Sequence, residues 1–457
     1  MMKKNKNQLK IPNIYQGIDI SQLTRPNPTT DKLKDSQIRK ITKFSDEYMK
    51  FLDNVKIAPD VVKSIYETCV EKNLDIRNYY SNEDKTAFAL VKRGKRPLRE
   101  GMRLLYAHTD SPCLRAKVNA PLLEWDPEEQ PLHTGVEIDT FSYGGINPHQ
   151  WTGKSLKLKG WAIINGKRKE INLPVYSPEI CAHTDTRGEQ RIEFKEAHTE
   201  ESIDLITGYK NVKSLLNKLR FKGKEDFARA RLFIVPDSKS RRIGPHYIVG
   251  YGHDNKSGIF TSVEAFLESN PEYTSMIFGF DKEEAGSKGP GGAQSKFFDR
   301  VFNTVLLKQG VIKSLEDLTE ALRLDIFSKS IAINADVDVG ATNREVDNVD
   351  SYSVAKLGYG TFINCVDGFS DGDQISPALI DKIMNLFKGK DIVFQPIGSS
   401  LPADRAHYET TMNCFFSDRG IPTINIGVAT GCLHSPEEII HEGDLFNAFK
   451  AYKEILR

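Results

Sequence analysis

Net charge is almost absent from this 457-residue chain: 63 basic residues face 62 acidic ones, for a formal charge of +1. Without a field of one sign there is no footing for nucleic acid or for an anionic membrane surface. The short basic run KSRR (239–242) reads as a solvated loop. Cysteine is sparse too. Cys69, Cys113, Cys181, Cys365, Cys414 and Cys432 lie far apart with no C-x-x-C pair. In a chain this long that argues against a disulfide framework and for reduced thiols. No apolar run approaches the roughly 20 residues of a helical membrane span. The stretch from Met1 to Gln8 is polar and has no apolar signal-peptide core. A cytoplasmic location is therefore expected. Internal repeats and low-complexity segments are also missing.

What remains is a globular composition, with 39% hydrophobic and 27% charged residues. The length predicts two to three domains at about 150 residues each. Residues 1 to about 35 carry Pro12, Pro26 and Pro28 and read as an irregular arm. From Ser36 to Asn73 the apolar residues Ile38, Ile41, Phe44, Tyr48, Phe51, Leu52, Val61, Val62 and Ile65 recur at helical spacing, which predicts two helices. Four later segments are apolar runs that end on polar residues: MRLLYAHTDSP (102–112), SMIFGFDKEEAG (275–286), SIAINADVDVG (330–340) and IPTINIGVATGCLHSPEE (421–438). Short continuous apolar runs read as buried strands of a mainly parallel sheet. Helices are predicted over Lys256–Leu267, Ser314–Phe327 and Pro377–Phe387. Alternating strands and helices give an α/β class, a mixed, mainly parallel sheet between helices. The stretch from about Val118 to Gly244 differs. It has short strand-like pieces, many turn residues and an amphipathic stretch over Ile203–Leu219, and reads as an inserted β-rich domain. The expected division is residues 1–118 with 245–457 as a discontinuous domain, and 119–244 as the insert.

The chemistry sits at the strand ends, where α/β proteins place ligands. His108 and Asp110 end the first run, Asp254 follows HYIVGYG, Glu283 and Glu284 end the second, Asp336 ends the third, and His434 follows the last. Each alone has an ordinary explanation: a surface histidine, a solvated acidic pair, a helix cap or a turn. Their shared placement argues for one site. Two imidazoles with several carboxylates suit zinc, with cobalt or manganese as substitutes. A single zinc needs only three protein ligands. This set supplies five and two helpers, which two ions about 3.5–4 Å apart would use fully. The expected roles are Asp254 bridging, His108 and Asp336 on one ion, and Glu284 and His434 on the other. Adjacent side chains point apart on a strand, so the Glu283–Glu284 pair divides two tasks and Glu283 is the general base. Asp110, two residues after His108, is expected to accept its other ring N–H.

The ordered set HTDSP (108–112), Gly252-x-Asp254-Asn255, DKEEAGS (281–287), NAD (334–336) and LHSPEE (433–438) resembles the aspartyl aminopeptidase and vacuolar aminopeptidase I family of zinc metallopeptidases. SYGGINPHQWTGKSLKLKG (142–160) resembles that family's lead into its dimerisation domain. The resemblance spans most of the chain. It implies an α/β catalytic domain with two zinc ions (Zn2+, or Co2+ or Mn2+) per subunit, an inserted dimerisation domain, peptide substrates, and dimers that build a tetrahedral dodecamer. Its ligand set falls on His108, Asp254, Glu284, Asp336 and His434, and its base on Glu283. LPVYSPEICAHTD (173–185) matches the region that supplies a histidine to the neighbouring subunit, so His183 is either that oxyanion-stabilising residue or a surface histidine of the insert.

Acid-specific members carry a lysine where LGYGTFIN (357–364) has Asn364, which predicts a preference for neutral or basic N-terminal residues. The acidic stretch SDGDQISP (370–377) could favour a cationic side chain or be a solvated loop, and AHYETTMNCFF (406–416) departs from the Gly-rich bacterial version. Two other readings stay open: a sister two-metal deacylase or carboxypeptidase, and an inactive shell protein.

Overall fold

The four apolar runs become four adjacent strands of one sheet: Thr274–Phe280, Met102–His108, Ile331–Asn334 and Thr423–Thr430, in that spatial order and all parallel. Every residue in them is buried. This is why they read as unbroken apolar runs instead of alternating ones. The computed structural model describes residues 28–31, 33–118, 135–186, 203–342, 348–366, 376–398, 400 and 412–457.

Successive side chains of each strand enter opposite cores. Leu105, Ala107, Ile277 and Ile333 join one core with the helices Asp35–Asn54, Ala58–Glu71, His253–Glu268 and Glu442–Ile455. Leu104, Tyr106, Met276, Phe278 and Phe280 join the other, with the helices Phe297–Lys308 and Glu320–Ser328. Each buried Leu, Ile, Met or Phe among them contributes about 1.5–3 kcal/mol. Phe88–Lys92 and Tyr79–Ser81 extend the sheet antiparallel at one edge. Thr361–Asn364, antiparallel to Thr423–Thr430, and Phe394–Ile397 extend it at the other. Sheet and helices form the α/β layer fold expected.

Among the described residues a second sheet of seven strands, antiparallel throughout, runs from Cys113–Ala116 to Ala230–Pro236. Its core centres on Trp151, Leu156, Leu158, Leu173 and Ile234. Cys113–Ala116 belongs to this sheet although it precedes residue 118, and it continues directly from the strand that ends at His108. A small third sheet joins Arg241–Ile243, Tyr247–Gly250 and Glu438–His441.

One expected helix is shorter than predicted, and the amphipathic stretch Ile203–Leu219 is helical only in part. Over Ile203–Leu219 only Val212–Leu219 is helical, because Asn211 caps it by accepting the Ser214 N–H (2.9 Å). In Ser314–Phe327 the helix starts at Glu320, since the Asp317 carboxylate accepts the main-chain N–H groups of Lys313 and Ser314 and closes a separate turn. Most of the N-terminal arm, residues 370–375 and residues 406–411 lie outside the described residues. Among the described residues no helix is long and apolar enough to cross a membrane.

Candidate metal centre

In register, His108 lies opposite Phe280 and Tyr106 opposite Asn334, so the carboxyl ends of the parallel strands emerge side by side. His108 is the last residue of its strand. Glu283 and Glu284 form a tight turn three residues beyond Phe280, and Asp336 follows Asn334 by two. Gly427 lets the last strand approach closely: a Cβ there would meet the Asp336 carbonyl oxygen at 1.5 Å. Asp254 opens the helix His253–Glu268 but does not cap it. Asn255 does, its Oδ1 accepting the Gly258 N–H (3.1 Å), and this leaves the Asp254 carboxylate to the site.

That carboxylate stands between the two histidines. Its Oδ1 is 2.9 Å from His108 Nε2 and its Oδ2 is 3.1 Å from His434 Nε2. Asp336 Oδ1 lies 3.5 Å from His108 Nε2, and Glu284 Oε2 lies 3.7 Å from His434 Nε2. Carbonyl oxygens can only accept, so each histidine's Nδ1 is the protonated nitrogen. His108 donates to the main-chain carbonyl of Asp110 (3.1 Å) and His434 to that of Gly145 (2.9 Å). Both Nε2 atoms therefore face the carboxylates.

The Asp110 carboxylate is placed differently from expectation. It lies 3.4 Å from His108 Nδ1, whose nearer partner is the Asp110 main-chain oxygen. Its oxygens accept the Tyr143 hydroxyl (2.7 Å) and the main-chain N–H groups of Glu283 and Glu284 (3.3 Å each). His183 is not joined to the cluster in the single chain. It sits on an exposed turn after the strand Lys167–Ser177. Asn364 ends the strand Thr361–Asn364 and its Oδ1 accepts the Val366 N–H (3.2 Å).

Two helpers escaped sequence reasoning. Glu438 is 1% exposed, and its two oxygens accept the main-chain N–H groups of Asp254 (3.1 Å) and His434 (2.9 Å). Lys256 is fully buried and donates to Ser111 Oγ, which in turn donates to the Asp254 carbonyl. Glu438 closes the LHSPEE motif and Lys256 follows Gly252-x-Asp254-Asn255, but Glu438 acts on backbone N–H groups and Lys256 acts through the Ser111 hydroxyl, and residue type alone does not reveal that.

The electrostatics are those of a cation site. Burial pulls the His108 imidazole down, but the Asp336 charge and contacts with the Asp110, Asp254 and Asp336 carboxylates hold its pKa well above the usual value. Against the same burial, Glu284 and Asp254 push His434 up to about 11. Burial and then the Asp254 charge raise Glu284 well above the carboxylate range and Glu438 to about 8. Buried like charges raise one another in this way when too little positive charge is near. Among the described residues, Glu284 Oε1 is buried without a hydrogen-bond partner. Ligand atoms of His108, Asp254 and Glu284 all lie within 4.8 Å of one another. Donors about 2.0–2.1 Å from a tetrahedral zinc stand about 3.3 Å apart, close to the spacings here. The donor set fits zinc in type, distance and charge.

The profile of the family "Aminopeptidase I zinc metalloprotease (M18)" matches residues 62–456. A probable M18 family aminopeptidase 1 of Borreliella burgdorferi is 30% identical, over 93% of this chain and 98% of its own. The crystal structure of an M18 aminopeptidase from Thermotoga maritima superposes with a TM-score of 0.83 at 26% identity, covering 95% of this chain and all (100%) of that one. The Saccharomyces cerevisiae mApe1 dodecamer shares the fold at 15% identity, with a TM-score of 0.64 over 91% of this chain and 96% of its own. With the family profile spanning nearly the whole chain, this protein belongs to the aminopeptidase I (M18) family of zinc metalloproteases and is an aminopeptidase.

Proposed function

We propose that this aminopeptidase works with two zinc ions and removes neutral or basic residues from peptide N-termini. The observation that carries the reading is Asp254, whose two oxygens each face a different histidine. His108 and Asp336 would complete one ion's ligands, and Glu284 and His434 the other's. Bound there, the pair would polarise the scissile carbonyl and acidify the attacking water. Glu283 takes the proton from that water and delivers it to the leaving amine. The Asp110 carboxylate accepts the main-chain N–H groups of both glutamates. With Asn364 in place of a lysine, no cation there pairs with an acidic substrate side chain.

The test is stepwise zinc reloading of chelator-stripped protein, assayed on aminoacyl amides. Activity should saturate at two ions per chain, with Leu- and Lys-amides turned over at least about tenfold faster than Asp-amide, the worth of one charge-assisted hydrogen bond. Saturation at one ion would sink the two-metal reading; faster Asp-amide turnover would sink the specificity.

The seven-stranded sheet is, in this proposal, the dimerisation domain, and dimers build a dodecamer like the yeast mApe1 assembly. His183 then acts across the dimer, stabilising the oxyanion in its neighbour. Its exposed turn is compatible with reaching another chain. Mixed dimers test this. His183→Ala and Glu283→Gln subunits, each nearly inactive alone, should regain activity when co-assembled, because the first keeps its base and receives the second's histidine. Absence of complementation in verified mixed dimers rules the cross-subunit role out. The sparse, scattered cysteines of the sequence support a reducing compartment such as the cytoplasm.

A further inference from the structure

Three consecutive residues of the second sheet touch the metal centre, each in a different way. Tyr143 ends the strand Thr140–Tyr143, which pairs with Cys113–Ala116 so that Tyr143 lies opposite Cys113. This register carries the following glycines over Pro112 and onto the site. The Tyr143 hydroxyl donates to Asp110 Oδ2 at 2.7 Å, and Asp110 binds the Glu283 and Glu284 main-chain N–H groups. Gly144 has a φ of +77°, and a Cβ there would sit 3.0 Å from Glu284 Oε2 and 3.2 Å from Pro112 Cβ. The Gly145 carbonyl accepts the ring N–H of His434 at 2.9 Å. One short segment thus orients Asp110, leaves room for the Glu284 carboxylate and selects the His434 tautomer.

We propose that Tyr143–Gly145 is a positioning element through which the seven-stranded sheet governs zinc binding at the Glu284–His434 side of the centre. The proposal rests on the two-zinc reading above. Asp110 alone cannot fix the direction of the glutamate turn, because both of its bonds to that turn are long, at 3.3 Å. The shorter bond from Tyr143 ties the carboxylate to the sheet. His434 is 30% exposed, and the Gly145 carbonyl holds the Nδ1 side of its ring while Asp254 faces the other nitrogen. A partner of this kind is worth roughly 10–100-fold in metal affinity.

Tyr143→Phe is the cleanest probe. It keeps the ring against Phe233 (centroids 6.3 Å apart) and beneath the Arg115 guanidinium (5.6 Å), and removes only the hydroxyl. Thr207→Val is the control: it removes a buried hydroxyl next to the strand Leu205–Ile206 of the same sheet, bonded to the Val136 carbonyl and the Tyr209 N–H and to none of the site residues. Zinc affinity by chelator competition, the cobalt absorption spectrum, and kcat and KM separately would be read for both. Tyr143→Phe should bind one of the two ions roughly 10–100-fold more weakly. Its cobalt spectrum should shift, and kcat should fall with KM held. Thr207→Val should change none of these. Gly144→Ala should lose the same ion, by crowding Glu284. Zinc affinity and spectrum of Tyr143→Phe equal to wild type overturn the proposal, even if its melting temperature falls. The wild type separates the two readings: two ions bound there with an unaffected Tyr143→Phe refute only this inference, while no ions bound refute both.

Discussion

Glu283→Gln is expected to retain wild-type zinc content while kcat falls by about 10²–10⁴-fold, the worth of a general base. The amide keeps the shape of the carboxylate but cannot take a proton. Retention of metal follows from the geometry, since Glu284 lies 3.7 Å from His434 and Glu283 is in none of the contacts that link the histidines through Asp254. Burial raises the Glu283 pKa to about 8, opposed by His108 and reinforced by Asp336, Asp110 and Asp254. Zinc content and turnover of Leu-amide, measured on one preparation, decide the matter. Zinc lost together with activity would exchange the roles of the two glutamates.

Asp254→Asn should be the more damaging change, because one side chain serves both halves of the centre. Its oxygens lie 2.9 and 3.1 Å from the two imidazoles, and it is 4% exposed. In the two-zinc reading proposed above, removing its charge would take a ligand from both ions at once. An outer partner of a ligand is worth roughly 10–100-fold in affinity, so loss of a shared ligand should weaken zinc binding by about 100-fold or more at both sites. The expected result is a chain holding less than one zinc and hydrolysing aminoacyl amides at background rate. Elemental analysis after gel filtration reads the first quantity and a chromogenic assay the second. A variant that still holds one tight zinc would make Asp254 a ligand of a single ion and end the bridging assignment.

The α/β sheet and the site cluster were legible in the sequence for one reason. Residues buried on both faces leave continuous apolar runs, and the residues that leave such a run at its carboxyl end face the same crevice. Met102–His108 and Thr274–Phe280 are of this kind, and the helix Pro377–Phe387 appears with both of its expected ends. Phe88–Lys92 escaped because five residues carry too little pattern, and its place is set by pairing with Thr274–Phe280, almost two hundred positions away.

By itself, then, the sequence determined the layer architecture and the residue types of the metal centre, because burial periodicity and ligand chemistry are local properties of residue type. Tertiary structure alone decided that Asp254 faces two histidines, that Asn255 supplies the helix cap, and that Asp110 braces the glutamate turn. It alone decided, too, that Glu438 and Gly145 hold the ligands in place. These depend on single hydrogen bonds, many to backbone atoms, across long separations in the chain. Such bonds leave no periodic trace, and any residue with a carbonyl could have stood where Gly145 stands.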